Sequence, residues 1–387
     1  MIMTQASKNI VITAEIYPPD IGGPATYAFE LRHELLSCGY TVTLLTLGDA
    51  SRGADEGVVV IGRKKNVLLR LLQYFFKLKK LSQSADVIYA MGPGVSGLCS
   101  VIAGKLTQKR VVVKVTGDRA WEAARLRGSK EGIEEFQLKR HGGWIRVLEA
   151  VERFVVRHAD VVIVPGNFLK KIVEGWDAKS EKVINIPNAI SPLHTASDPM
   201  MEEGIRFEER KYIIFAVGRL VPWKGMDDII MALPKVCTHI KEARLTIVGD
   251  GPERERLKGV ALEHGVAGIV DFPGSMPHTK LHNYWRRAKV FVLVSGFEGF
   301  PHLVLEAWAA GVPVVASDIP AIRDIIINRE TGILVPYKDV QAIADALVEV
   351  VQNEELARKL RENGRRELAK YRWEKIFTET INLLLYG

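Results

Sequence analysis

The chain has 387 residues, 47% of them apolar and 26% charged, a balance that excludes a disordered or fibrous protein. At that length one core does not suffice, and two domains of roughly 150 to 200 residues each are expected. The net charge of +7 is spread along the chain and favours anionic ligands, whether phosphates or lipid headgroups, while no aromatic-interleaved basic motif points to nucleic acid. The cysteines Cys38, Cys99 and Cys237 stand far apart without metal-ligand spacing and read as reduced core thiols. The first residues lack the pattern of a cleaved leader, and no uninterrupted apolar stretch reaches about 18 residues, so a cytoplasmic location is expected.

In chain order, β-branched runs begin at Lys8 (KNIVITAE), Tyr40 (YTVTLLTLG), Ala85 (ADVIYA), Arg110 (RVVVKVTGD) and Ala159 (ADVVIVPG). Helical patterns such as Gly23 to Gly39 and Gly143 to Ala159 lie between them. The strands are nearly continuous in Val and Ile, as expected of a parallel sheet covered on both faces, so the fold class is α/β and doubly wound. After EKVINIPNAI the alternation stops for about twenty polar, proline-bearing residues, which read as a linker. It restarts at Lys211 (KYIIFAVGR) and continues through ARLTIVGDG, GIVDFPGS, AKVFVLVSG, VPVVASD and GILVP. The expected organisation is a first Rossmann-like domain over 1–193, a linker over 194–210 and a second Rossmann-like domain over 211–364. Ligands of such sheets bind beyond the carboxyl ends of the strands, where candidate residues are sought.

Three strand ends carry chemistry. The run from Lys211 leads into VGRLVPWKG, which sets Arg219 and Lys224 on one loop, a guanidinium fork and a flexible ammonium suited to a diphosphate. Solvated loop cations are the competing reading. The run from Ala288 leads into SGFEGFPHLVLEAWAAG, where Pro301 is placed at the first position of a helix that Gly311 closes. Glu298 precedes that helix and Glu306 lies about one turn inside it, so both carboxylates can face one cleft and accept hydrogen bonds from vicinal hydroxyls. The backbone donors from His302 onward point out of the helix N-terminus. The third end, KVTGDRAWE, offers Asp118, with Arg119 and Glu122 close by as acceptor-side candidates; Asp118 can equally cap the turn that follows.

Two other stretches bear on function. The glycines of MGPGVSG form Gly92-x-Gly94-x-x-Gly97 after the run ADVIYA, with Asp118 downstream, the grammar of an NAD-dependent oxidoreductase, although Pro93 removes a phosphate-facing N–H from the turn. The stretch RKKNVLLRLLQYFFKLKKL, Arg63 to Leu81, mixes Leu and Phe with basic residues. It suits either a helix on an anionic membrane surface or a helix packed on the sheet with a solvated basic face.

Arg219 with Lys224, GDGP at 249–252, the E-x7-E of Glu298 and Glu306, and TGILVP at 331–336 together resemble the retaining glycosyltransferases of family 4. The resemblance runs through nearly the whole chain and is strongest over 211–336. It implies the GT-B fold, two facing Rossmann-like domains with a cleft between them and a final helix, from about residue 365, packing back on the first. It implies sugar transfer from a UDP- or GDP-sugar to a glycan or lipid-linked acceptor with retention of configuration, the work of polysaccharide or glycolipid biosynthesis, on the cytoplasmic side and peripheral to the membrane. Arg219 and Lys224 would then neutralise the leaving diphosphate, Glu298 hold the sugar and Glu306 the ribose. Gly249, Gly251, Ser275 and Met276, and the turn of Gly299, Phe300, Pro301, His302 and Leu303, would complete the donor site. The early loop YPPDIGGPATY, with Gly22 and Gly23, would face the donor phosphates and the acceptor, though a plain glycine turn opening a helix also fits. No Asp-x-Asp occurs, so neither a metal nor a cofactor is expected. Where many family members carry a histidine after the fourth strand this chain has KVTGD, which leaves the role of Asp118 open. A GT-B-fold nucleotide-sugar epimerase, which needs no acceptor, fits the same donor residues.

Overall fold

A computed structural model describes residues 8–20, 22–49, 55–63, 66–190 and 213–386. The expected linker over 194–210 lies outside the described residues. Continuous apolar runs become two parallel sheets. The first contains β1 (Asn9–Thr13), β2 (Thr41–Gly48), β3 (Val58–Gly62), β4 (Val87–Ala90), β5 (Arg110–Lys114), β6 (Val161–Val164) and β7 (Val183–Asn185), in the order β3-β2-β1-β4-β5-β6-β7. The second contains β8 (Ile213–Val217), β9 (Arg244–Val248), β10 (Val270–Gly274), β11 (Ala288–Leu293), β12 (Val314–Ser317) and β13 (Ile333–Val335), in the order β10-β9-β8-β11-β12-β13. Each order reverses once, between β1 and β4 and between β8 and β11. In open sheets of this kind ligands bind at that point, beyond the carboxyl ends of the strands.

The helices up to β8 are α1 (Gly23–Ser37), α2 (Val67–Ser82), α3 (Val95–Thr107), α4 (Arg119–Leu126), α5 (Ile133–Leu138), α6 (Gly143–His158) and α7 (Asn167–Gly175). After β8 come α8 (Met226–His239), α9 (Arg254–Glu263), α10 (His278–Trp285), α11 (His302–Ala309), α12 (Pro320–Arg323), α13 (Val340–Gln352), α14 (Glu354–Glu367) and α15 (Trp373–Leu385). By compactness the chain divides into one unit of Met1–Ala123, Gln137–Pro187 and Glu374–Gly387 and a second of Ala124–Phe136 and Asn188–Trp373. The strand pattern does not announce that Ala124–Phe136 groups with the later half.

The second sheet shows why its strands are apolar on both faces. Along β11, Val290 and Val292 pack into one core with Ile229 and Leu233 of α8 and Leu347 of α13. The alternate residues Phe291 and Leu293 pack into another with Val304, Leu305 and Trp308 of α11. Residues of opposite parity face opposite layers, and each side chain so covered contributes roughly 1.5–3 kcal/mol. Trp308 fixes the roll of α11: its Nε1 donates to the Thr331 carbonyl at 2.9 Å. Gly364 of α14 lies flat against its ring, where a Cβ would stand 2.3 Å from an indole carbon.

Two local expectations are corrected. Pro301 is the N-cap of α11 and not its first helical residue, while Gly311 (φ 60) follows the C-cap Ala310 in the left-handed conformation that favours glycine. Cys38 is exposed and so is not a core thiol; Cys99 is buried, which pushes its thiol up to about 12.

Candidate functional site

In the second unit the loops leaving β8, β9 and β11 converge because glycines let their backbones touch. A Cβ on Gly249 (φ 143) would stand 1.9 Å from the Gly218 carbonyl oxygen, and one on Gly251 2.3 Å from that of Leu220. GDGP is thus the seat on which the Arg219 turn rests, closed by Leu220 N–H donating to the Asp250 carbonyl at 2.9 Å. Past it, Pro222–Lys224 makes a single 3-10 turn that ends at Gly225, φ 62. A Cβ on Gly225 would lie 2.2 Å from the Val294 carbonyl oxygen, and Gly296 N–H donates to the Trp223 carbonyl at 2.7 Å. The β8 loop and the end of β11 are therefore fastened at the topological switch point.

This junction brings Lys224 and Glu298 together, 2.6 Å from Nζ to Oε1. Their side chains are only 13% and 11% exposed, so this is a covered pair and Lys224 is not a solvated loop cation. Removing either partner would strand a charge away from water. Arg219 is exposed, its guanidinium 5.8 Å from the ring centroid of buried Trp223. Glu306, one turn inside α11, is also buried. The turn before α11 packs Phe300 edge-on to His302, and Phe300, Leu303 and Met276 lie against the apolar cluster that anchors α11. Gly299 is half-buried and Pro301 buried, whereas Ser275, just past β10, is exposed. The His302 N–H donates to the Phe300 carbonyl at 3.0 Å and the Val304 N–H to the Pro301 carbonyl at 3.0 Å.

Sequence reasoning missed one residue here. Asn188, buried, places Nδ2 2.8 Å from His302 Nε2. An amide nitrogen only donates, so with the amide in this orientation His302 is neutral and carries its proton on Nδ1. The available signal was an asparagine on the loop that follows β7.

The remaining candidates lie in the first unit. Gly22 is the N-cap of α1, and a Cβ on Gly23 would meet open space. Asp118, a candidate for the reacting centre or for a cap, is buried and caps the start of α4: Oδ1 accepts the Trp121 N–H at 2.7 Å and Oδ2 accepts Gln137 Nε2 at 2.7 Å. Burial pushes its carboxyl up to about 6 against the pull of those two donors. Glu152, also buried, accepts the Arg119 N–H at 2.8 Å, and burial together with Asp118 holds its carboxyl well above the usual range. Arg119 is exposed and bonds Glu15 through Nη1; Glu122 sits half-buried in the first turn of α4.

The glycine fingerprint also has a structural explanation. A Cβ on Gly94 would collide with Arg119 Nη1 and Glu15 Oε1, and one on Gly97 would stand 2.5 Å from the Gly92 carbonyl oxygen. Protein side chains fill the space over the turn where a dinucleotide pyrophosphate would rest, which counts against the oxidoreductase reading. Arg63 is likewise engaged, forking onto both oxygens of Asp20 and reaching the Glu15 carbonyl at 3.0 Å. Among the described residues no group of three or more His, Cys, Asp or Glu gathers to hold a metal ion. No helix among them is long and apolar enough to cross a membrane.

Two family models match almost end to end, the glycosyl transferase 4-like domain over residues 22–189 and glycosyl transferases group 1 over residues 199–367. An uncharacterised glycosyltransferase from Methanocaldococcus jannaschii is 30% identical over 266 residues, 65% of this chain and 68% of that relative. The chain belongs to the glycosyl transferases group 1. This glycosyltransferase is also 31% identical over 260 residues to a glycogen synthase from Mycobacterium tuberculosis, covering 65% of its own length and 62% of that relative's, somewhat less than two thirds. A GDP-mannose-dependent alpha-(1-6)-phosphatidylinositol monomannoside mannosyltransferase from the same organism is 25% identical over 97% of the chain and 98% of the relative. The glycosyltransferase has the GT-B fold, shared with Anabaena HepE solved in complex with UDP and glucose at a TM-score of 0.79, 17% identity, and coverage of 98% and 99%.

Proposed function

We propose that this glycosyltransferase moves a hexose from a UDP- or GDP-sugar to a glycan or lipid-linked acceptor, with retention of configuration and without a divalent ion. The observation that carries the reading is the covered Lys224–Glu298 pair between the β8 and β11 loops, beside exposed Arg219. As the bond from the sugar to the nucleoside diphosphate breaks, negative charge grows on the leaving phosphate. An ammonium already fixed at 2.6 Å by Glu298 needs no reorganisation to meet that charge, and Arg219 adds a planar fork. Glu298 Oε2 then serves a hydroxyl of the donor sugar and Glu306 the ribose, while His302, held neutral by Asn188, donates from Nδ1. The two donor types are those named for relatives, GDP-mannose for the mannosyltransferase and UDP with glucose in the HepE complex.

The test is a thermal-shift screen of UDP- and GDP-sugars, followed by acceptor-dependent nucleotide release in the presence of EDTA. One donor is expected to raise the melting temperature, and turnover to survive chelation. Loss of turnover in EDTA would overturn metal independence, release without any acceptor would favour an epimerase, and stabilisation by NAD alone would overturn the whole reading.

A further inference from the structure

The first unit carries a surface that the transfer chemistry does not use. Helix α2 packs beside α3, and α3 beside α6, so the three form neighbouring parts of one layer. Each turns apolar side chains outward. On α2, Leu68 is 65% and Phe76 61% exposed, with Leu69 and Leu72 between them. On α3, Leu106 is 60% exposed and Ile102 lies one turn before it. On α6, Trp144 is 54% exposed, followed at helical spacing by Val147 and Phe154. Between α3 and α6, Ile102, Val147 and Phe154 line a shallow groove of about 460 Å³ together with Leu98. Soluble surfaces scatter such residues singly, and a contiguous set across three helices marks a contact site.

Charge identifies what makes the contact. Neither α2 nor α3 contains an acidic residue. Of the two acids on α6, Glu152 is buried and Glu149 is bound by His141 at 2.7 Å. Exposed cations stand among the apolar residues: Lys77 and Lys80 on α2, Lys105 on α3, and Arg146 and Arg157 on α6. A second copy of the chain would set cations against cations, which disfavours self-association through this face. An apolar, acid-free, cationic face is complementary to an anionic bilayer, where acyl chains receive Leu, Phe and Trp and headgroup phosphates meet Lys and Arg.

We propose that the α2–α3–α6 face docks the enzyme on an anionic phospholipid surface. The face extends beyond the basic stretch first noted in the sequence, and it does not include Arg63, whose guanidinium is turned to Asp20. Docking goes beyond the transfer reaction and does not depend on it, since its test uses neither donor nor acceptor.

The experiment is flotation of the full chain with vesicles of phosphatidylcholine alone and of equimolar phosphatidylcholine and phosphatidylglycerol. Binding to the second and not the first is expected, weakening as salt is raised. The paired change Lys77→Gln and Lys80→Gln should weaken it by about fivefold for each lysine removed. Leu72→Ser with Phe76→Ser, and separately Leu106→Ser with Trp144→Ser, should each weaken it at least about tenfold, because roughly 0.8 kcal/mol is lost per buried methylene. All these side chains are exposed, so melting temperatures should match the parent, which confirms that the variants are folded. No binding to the anionic vesicles would overturn the proposal, as would binding that both serine pairs leave unchanged. Loss with the α2 pair alone would overturn the three-helix face in favour of a single helix. A dimer in light scattering that the serine pairs dissolve, without flotation, would assign the face to a second copy instead.

Discussion

The carboxyl ends of the two sheets present the same topology with opposite treatment of charge. At the first, the loop ions are paired in the open: Arg119 with Glu15, side chains 44% and 23% exposed, and Arg63 with Asp20. The acids that are buried there, Asp118 and Glu152, are spent on backbone and side-chain donors around the start of α4. At the second, an ammonium and a carboxylate are sheltered together between two loops, with the exposed Arg219 alongside. Exposed pairs contribute little to stability and exchange partners readily, whereas a sheltered ion is held in place and keeps its strength. The function proposed above would place the acceptor at the first end and the leaving anionic group at the second.

That contrast is broken most directly by deleting one cation at each end. Lys224→Ala should lower kcat/KM by about 10²–10³-fold, the loss typical of a preorganised electrostatic contact. The melting temperature should fall as well, since Glu298 is left covered without its partner. Arg119→Ala should change the KM for acceptor and leave donor affinity within about twofold, as its partner is already solvated. Equal effects of the two on donor binding in calorimetry would erase the distinction.

A smaller effect sharpens the second end. Asn188→Ala removes one hydrogen bond and should raise donor KM by up to about tenfold. Because Asn188 acts through His302, a double-mutant cycle should show that adding Asn188→Ala to His302→Ala costs almost nothing further. Additive losses would make Asn188 merely structural.

The smallest effect sharpens the first end and concerns pH. Asp118, near 6, and Glu152, held well above the usual carboxylate range, bind protons in the folded chain that the unfolded chain releases. Their contribution is therefore full below the ordinary carboxylate range and is lost as pH rises through about 6 and beyond. Glu152→Gln keeps an oxygen for the Arg119 N–H without the charge. Its melting temperature should gain on that of the parent over the window that opens as pH rises above the ordinary carboxylate range. A constant gap across that window would show that Glu152 does not titrate there.

Much of this was legible from local pattern. The unbroken Val and Ile runs announce strands covered on both faces, and AKVFVL is indeed buried at every position. Gly311 marks the end of α11 as its position before Pro313 suggests. The spacing of Arg219 to Lys224 and of Glu298 to Glu306 marked the loops on which the proposed donor site rests. Where local reading misled, a nearer bonding partner was the cause. Asp118 is held by the Trp121 N–H of α4 and by Gln137, and the Gly92–Gly97 turn has the right spelling and is filled by Arg119 and Glu15.

By itself the sequence determined the elements, their parallel arrangement and the loops on which charge is carried. Those follow from short-range sterics and from side-chain periodicity, which act within a few residues. Only the tertiary structure decided which charges meet. Lys224 finds Glu298 across 74 residues and Asn188 finds His302 across 114. Such contacts exist once β8 and β11 lie side by side and once the turn before α11 is closed. The outward faces of α2, α3 and α6 became one surface in the same way, because only packing tells a buried leucine from one left to meet a partner.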